Sequence, residues 1–226
     1  MLICSLDNAK IVKIDKILFE KIENKIIELG QDFDKDNFET IKKNLIEPPI
    51  LTAADFAFEV IYVILAGGFS QKTAKKVFAK ICAFIKERDK VFGEELFELF
   101  HNVNKTNAIA KIWNERQNYR EKFYSLKTDD EKFAFLETLP HIGKITKNHI
   151  ARNLGISVVK YDIWIQRLGI SLFGSGETAK FPLDENVKKY CDKMFENLQK
   201  ETKLPVGFLD AVLWKACQIG LFSFSD

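Results

Sequence analysis

Apolar residues recur in this chain with a helical period almost from end to end, and no run sustains the strict alternation of a half-buried strand. Ile11, Ile14, Leu18, Ile22 and Ile26 form one stripe, closed by Gly30. A short helix is expected over 36–46, stopping before Pro48 and Pro49. Thr52 is placed to cap the next helix, which is apolar almost all round from Phe56 to Leu65 and therefore belongs at the centre of a bundle. Gly67 and Gly68 break it, and Ser70 is placed to cap a basic amphipathic helix running through Lys86. Further helices are expected over 93–100, 105–119, 128–137, 145–154, 162–172, 183–200 and 207–219. The fold class is all-α.

The 226 residues are enough to bury a core in one or two packed subdomains, and a hydrophobic share of 46% with twenty Phe favours a folded globular chain. Net charge is only +2, so the total says little about nucleic acid; its distribution says more. From Pro140 to Gly169 five basic residues (Lys144, Lys147, Arg152, Lys160, Arg167) face one acid, Asp162. Lys72, Lys75, Lys76 and Lys80 form a second basic cluster, which is equally readable as a solvated helix face. Cys4, Cys82, Cys191 and Cys217 are far apart and form no Cys-x-x-Cys pair, which argues against a zinc site or a local iron–sulfur loop. There is no run of eighteen apolar residues and no signal-peptide plan, so a cytoplasmic, DNA-associated protein with no membrane partner is expected.

The segment Leu139–Gly169 joins two devices. Pro140 and Gly143 stand where a tight hairpin would separate two helices, and the amides opening the second helix would have no carbonyl partners. Such an N-terminus is a ready anion site, with Lys144 and Lys147 beside it. Nineteen residues after Gly143 comes Asp162, at the start of the next expected helix.

In this pairing the segment resembles the helix-hairpin-helix DNA glycosylase superfamily. That pattern reads roughly Leu-Pro-Gly-hydrophobic-Gly, a run of helix, an apolar pair and an essential Asp. Leu139, Pro140, Ile142, Gly143, Val158, Val159 and Asp162 match it. The chain lacks the four-Cys cluster that some members carry, so the resemblance is to members without one. It implies two helical subdomains with an active-site cleft between them: 55–155 as the bundle with the hairpin, 1–54 and 156–226 together as the second lobe. It also implies a monomeric enzyme acting on double-stranded DNA with a flipped-out modified base, and no cofactor beyond a structural monovalent cation at the hairpin.

The resemblance assigns roles residue by residue. Asp162 would be the catalytic carboxylate, stabilising oxocarbenium-like charge on the sugar and orienting water. His141, Gly143, Lys144, Ile145, Thr146, Lys147 and Lys160 would contact DNA phosphates. Phe69 and Gln71 are candidates for the side chain that fills the gap left by the flipped base. Trp164, Asp210 and Trp214 are candidates for the base pocket, with Tyr62, Trp113 and Tyr161 as further aromatics; each aromatic is more often core than ligand, and Asp210 is equally readable as a cap paired with Lys215. Two departures stand out. His141 occupies a position usually held by Gly, and Ile145 occupies the position from which bifunctional members supply a Lys nucleophile. A one-residue shift rotates a helical side chain by about 100°, so Lys144 reads as a phosphate contact. A monofunctional glycosylase that leaves an abasic site is the expected activity, with a bifunctional lyase using Lys144 as the alternative. A DNA-binding module without catalysis, or an RNA-binding or assembly protein, are the readings from other classes.

Overall fold

A computed structural model describes residues 2–6, 9–29 and 35–224, leaving aside the side chains of 9, 35–37 and 71. The expected end of the first stripe at Gly30 lies outside the described residues. In chain order the elements are β1 (Leu2–Cys4), β2 (Ala9–Lys10), α1 (Lys16–Glu28) and α2 (Lys35–Ile46). Then follow α3 (Ala53–Ala66), α4 (Gln71–Ile85), α5 (Gly93–Phe97), α6 (Val103–Asn114), α7 (Arg116–Ser125), α8 (Asp129–Leu136) and α9 (Thr146–Asn153). The chain closes with α10 (Ile163–Phe173), α11 (Glu185–Thr202), α12 (Val206–Gln218) and β3 (Phe222–Phe224).

The helix starts follow from capping chemistry. Asp15, Thr52, Ser70, Asn102, Thr128, Asp162 and Asp184 each accept a hydrogen bond from an amide in the first turn of the helix that follows. Two expectations need correction. The helix expected over 105–119 is two, α6 and α7, because the backbone leaves helical geometry at Glu115 (φ −103°, ψ 13°). The first stripe becomes helical only at Lys16, because Asp15 caps there. The fold class is all-α as expected, with one small antiparallel sheet in which β1 pairs with both β2 and β3 and which no residue pattern announces. Strands of two or three residues are too short for alternation to register.

The chain divides into two compact units: Met1–Glu47 with Ser157–Asp226, and Pro48–Ile156. In the first, Phe19, Ile22 and Ile26 of α1 join Phe195 and Leu198 of α11 and the largely buried α12 in one core, with Phe208 set edge-on to Phe19 and Phe38. The core of the second is built around α3, whose Phe56, Ala57, Val60, Ile61, Val63, Ile64 and Leu65 are buried. The apolar-all-round reading of that helix therefore placed it correctly at the centre of its bundle, against α4, α6, α7 and α9. No helix among the described residues is long and apolar enough to cross a membrane.

Candidate active-site elements

The unit Pro48–Ile156 carries the hairpin. Leu139 and Ile142 are buried and anchor the turn, while His141, Gly143, Lys144 and Ile145 face outward. Ile142 donates its amide to the Leu139 carbonyl, closing the turn at 3.1 Å. His141 sits at φ +63°, in the left-handed region that a glycine would adopt without strain. The departure from Gly therefore keeps the turn and carries a conformational cost. His141→Val is expected to lower stability by about 1–2 kcal/mol, since a β-branched side chain is strained there, while His141→Gly stays within about 0.5 kcal/mol of the parent. Thermal unfolding checks both. Burial, and secondarily the charge of Lys105, hold the His141 imidazole below its ordinary pKa, so it is neutral at physiological pH. Its contribution to stability is present above about 6.5 and is lost as pH falls through the window below that value.

Past the turn, α9 begins without a side-chain cap: Ile145 occupies the cap position and offers no acceptor. The Gly143 amide donates to Thr146 Oγ1 at 2.8 Å, so this amide is engaged within the turn. The amides of Lys144, Ile145 and Thr146 make no hydrogen bond among the described residues. Three successive outward amides at a helix N-terminus are the donors a phosphate oxygen needs. A Cβ built on Gly143 meets nothing within 4 Å, so the approach to the turn is open. Lys147 turns back: its ammonium pairs with Glu137 and lies 4.4 Å from the Phe133 ring centroid. Lys144 is thus the more exposed hairpin lysine, while Lys147 ties α9 to the end of α8.

The loop 67–70 reaches the same end of this unit. A Cβ at Gly67 would lie 3.9 Å from Thr146 Cγ2. Phe69 is 37% exposed, stacked edge-on to Phe100 at 5.5 Å, with Lys105 Nζ 4.5 Å from its ring centroid. The buried Lys105 ammonium also donates to the Leu65 and Gly67 carbonyls, which have left the helical ladder at the end of α3. Nothing in the sequence singled out Lys105, because a lysine in a helix is most often solvated. Gln71 opens α4, and its side chain lies outside the described residues.

The unit formed by both chain ends carries Asp162. One carboxylate oxygen, Oδ1, accepts the amides of Trp164 and Ile165 at 3.0 and 3.2 Å, capping α10. The other, Oδ2, lies 3.7 Å from Lys160 Nζ. The two side chains are 16% and 23% exposed, so the pair stands at the surface with little water around it. The positive end of α10 and the Lys160 ammonium both lie against this carboxylate.

The segment that presents this pair is held on each side by polar groups, of which Gln166 was not among the candidates from the sequence. Asp210, fully buried on α12, accepts the Lys160 amide at 3.3 Å. Gln166, also fully buried, donates Nε2 to the Tyr161 carbonyl at 3.1 Å and accepts the Lys180 amide at 2.9 Å. Tyr161 donates its hydroxyl to Asp192, which Lys188 engages on the other oxygen at 2.8 Å. Burial and the neighbouring carboxylate push the Tyr161 phenol well above its ordinary pKa, so it stays a donor. Asp210, a base-pocket candidate, is fully buried, with a carboxylate oxygen on the Lys160 backbone. Trp214 supplies a ring whose centroid is 5.5 Å from Lys160 Nζ. Trp164 packs against the core beside Phe224, with the Arg167 guanidinium 5.3 Å from its ring centroid. Tyr62 packs against Phe78 and His149, and Trp113 is buried with its indole N–H on the Arg88 carbonyl at 2.8 Å.

Cys4, Cys191 and Cys217 are buried in this unit and Cys82 is half-buried in the other. Burial raises the Cys191 thiol to about 12. At pH 8 its thiolate fraction is then about one in ten thousand, and alkylation by iodoacetamide is expected to be at least about 100-fold slower in the native protein than after unfolding. Mass-resolved labelling checks this.

No protein-family model matches the chain, and no curated protein matches it. Solved structures do share its fold. The 8-oxoguanine DNA glycosylase of Methanocaldococcus jannaschii superposes with a TM-score of 0.63 at 20% identity, over 90% of this chain and 94% of that one. The 8-oxoguanine DNA glycosylase of Thermotoga maritima gives 0.62 at 17% identity, over 92% and 99%. The M. jannaschii 8-oxoguanine glycosylase/lyase in complex with a 15mer DNA containing 8-oxoguanine gives 0.62 at 20% identity, over 90% and 98%. The fold of this chain is therefore that of these helical enzymes.

Proposed function

We propose that this chain is a DNA glycosylase that excises a modified base by hydrolysis of the N-glycosidic bond. The observation that carries the reading is the Asp162 carboxylate, one oxygen capped by two amides and the other 3.7 Å from Lys160 Nζ, at the start of a helix in a fold shared with three 8-oxoguanine glycosylase structures. Breaking the bond from C1′ to the base leaves positive charge on the sugar. A fixed anion stabilises that charge in the transition state more than in the ground state, which is the condition for catalysis. The same carboxylate is a base for the attacking water.

The outward amides of Lys144, Ile145 and Thr146, with the Lys144 ammonium, are the groups that would grip a phosphate beside the lesion, independently of sequence. Phe69, presented by the Lys105-braced loop, is the candidate gap filler. The carbonyls of His141 and Ile142 accept no hydrogen bond among the described residues, and they are the oxygens that would hold a monovalent cation at the turn. Such an ion would add positive charge toward phosphate. Because position 145 carries Ile, base release needs no hairpin amine and water is the nucleophile.

The test is a panel of duplexes, each holding one modified base and led by 8-oxoguanine, with free base and strand breaks measured separately in time. The expected result is release of a base with early strand breaks that require alkali. Binding of duplex DNA with no base released from any member of the panel would favour the non-catalytic clamp. Breaks that match base release at all times without alkali would overturn the hydrolytic route.

A further inference from the structure

We propose that Lys160 is the amine of a second, slower activity, cleavage of the strand at the abasic product, an inference that rests on Asp162 acting at the sugar. Hydrolytic excision leaves a hemiacetal in equilibrium with an open aldehyde at C1′, and a primary amine held against an aldehyde condenses with it. If Asp162 stands beside C1′, so does a group that touches Oδ2, the oxygen that does not cap α10. That group is Lys160 Nζ, 3.7 Å from Oδ2, on a segment fixed by the buried Asp210 and Gln166 and lying against the face of Trp214. Its side chain is 23% exposed, enough to reach substrate and too little to wander. The hairpin offers no counterpart at position 145, and Lys147 is engaged by Glu137. The amine has moved from the hairpin to the segment that bears the carboxylate.

The chemistry balances without a further reagent. Asp162 takes one proton from the Lys160 ammonium, and the free amine adds to C1′. The C1′ oxygen departs as water, carrying that proton and a second from nitrogen, and leaves a protonated imine. The imine draws electrons from C2′, a proton passes from C2′ to the Asp162 carboxylate or to water, and the C3′–O3′ bond breaks as the 3′ strand leaves with its phosphate. Water then hydrolyses the imine, returning Lys160 and freeing the unsaturated aldehyde. An ammonium paired with a carboxylate has no lone pair with which to displace the base, so this cleavage trails base release rather than driving it.

The experiment uses a duplex with an abasic site made in advance, so that it does not depend on knowing which base is excised. The intact protein is incubated with that duplex and borohydride, which reduces the imine to a stable amine, and the adduct is digested and mapped. The expected adduct lies on Lys160, and Lys160→Arg, which keeps the positive charge without a free primary amine, lowers its yield at least 50-fold. Affinity for a duplex with a reduced abasic analogue, measured on the same variant, reports binding separately. No adduct from the parent protein, an adduct on Lys144 or another lysine, or undiminished trapping by Lys160→Arg would each overturn the proposal. Mapping of the parent adduct decides the matter even if the variant folds poorly. Absence of trapping with base release intact in the duplex panel sinks this inference alone, whereas absence of base release sinks the glycosylase reading.

Discussion

Asp162→Asn is expected to slow base excision about a thousandfold while leaving the fold and DNA binding in place. The two amides of α10 bind Oδ1, and an Asn oxygen accepts them equally well, so the helix keeps its cap and stability changes by less than about 1 kcal/mol. What is lost is the charge. A full carboxylate about 4 Å from a developing cation, at the effective dielectric of a protein surface, is worth about 4 kcal/mol. That difference corresponds to about three powers of ten in rate. Single-turnover release of base measures the loss, and affinity for a duplex containing a tetrahydrofuran abasic analogue measures binding. Excision that falls by less than tenfold would show that the carboxylate is a helix cap and nothing more. Loss of binding in parallel would make its role one of positioning DNA.

How much of this was legible in the sequence follows the range of the interactions. Caps are local, and Thr52, Ser70, Thr128 and Asp162 all fall where a short polar side chain precedes an apolar period. The central place of α3 was legible because a helix apolar on every side has only one way to hide it. His141 stands where the resemblance places Gly, and its φ of +63° shows that the turn, not the side chain, dictates that conformation. The groups that hold the Asp162 segment were not readable. Asp210 and Gln166 lie 48 and 4 residues from it, and only the packing of α12 and α10 turns them inward. Lys105 is hidden for the same reason: its partners are carbonyls at the end of a helix 38 residues earlier. The sheet joining the chain ends pairs Leu2 with Phe224, a contact with no local signature.

Gly169→Val is expected to lower the unfolding temperature by about 10 °C. Glycine in a helix interior costs about 1 kcal/mol relative to Ala, so its presence in the middle of α10 calls for a reason. The reason is the approach of α11: a Cβ at 169 would lie 2.8 Å from Cys191 Sγ, 2.9 Å from the Cys191 amide nitrogen and 3.2 Å from its Cα. Two of those three atoms are backbone and cannot rotate away, so the helices must separate. Overpacking of this kind costs about 3 kcal/mol, and each kcal/mol is worth about 2–4 °C in a chain of this size. Gly143→Ala is the control, since nothing stands within 4 Å of a Cβ there, and its unfolding temperature is expected to match the parent within about 2 °C. Differential scanning calorimetry separates the two, and equal losses would refute the close-approach account. The consequence reaches function, because α10 carries Asp162 at its start and Asp192, next to Cys191 on α11, holds Tyr161 beside it. Parting these helices moves the cap and the tyrosine's anchor in opposite directions, so base excision should fall in Gly169→Val even at temperatures where the protein is still folded.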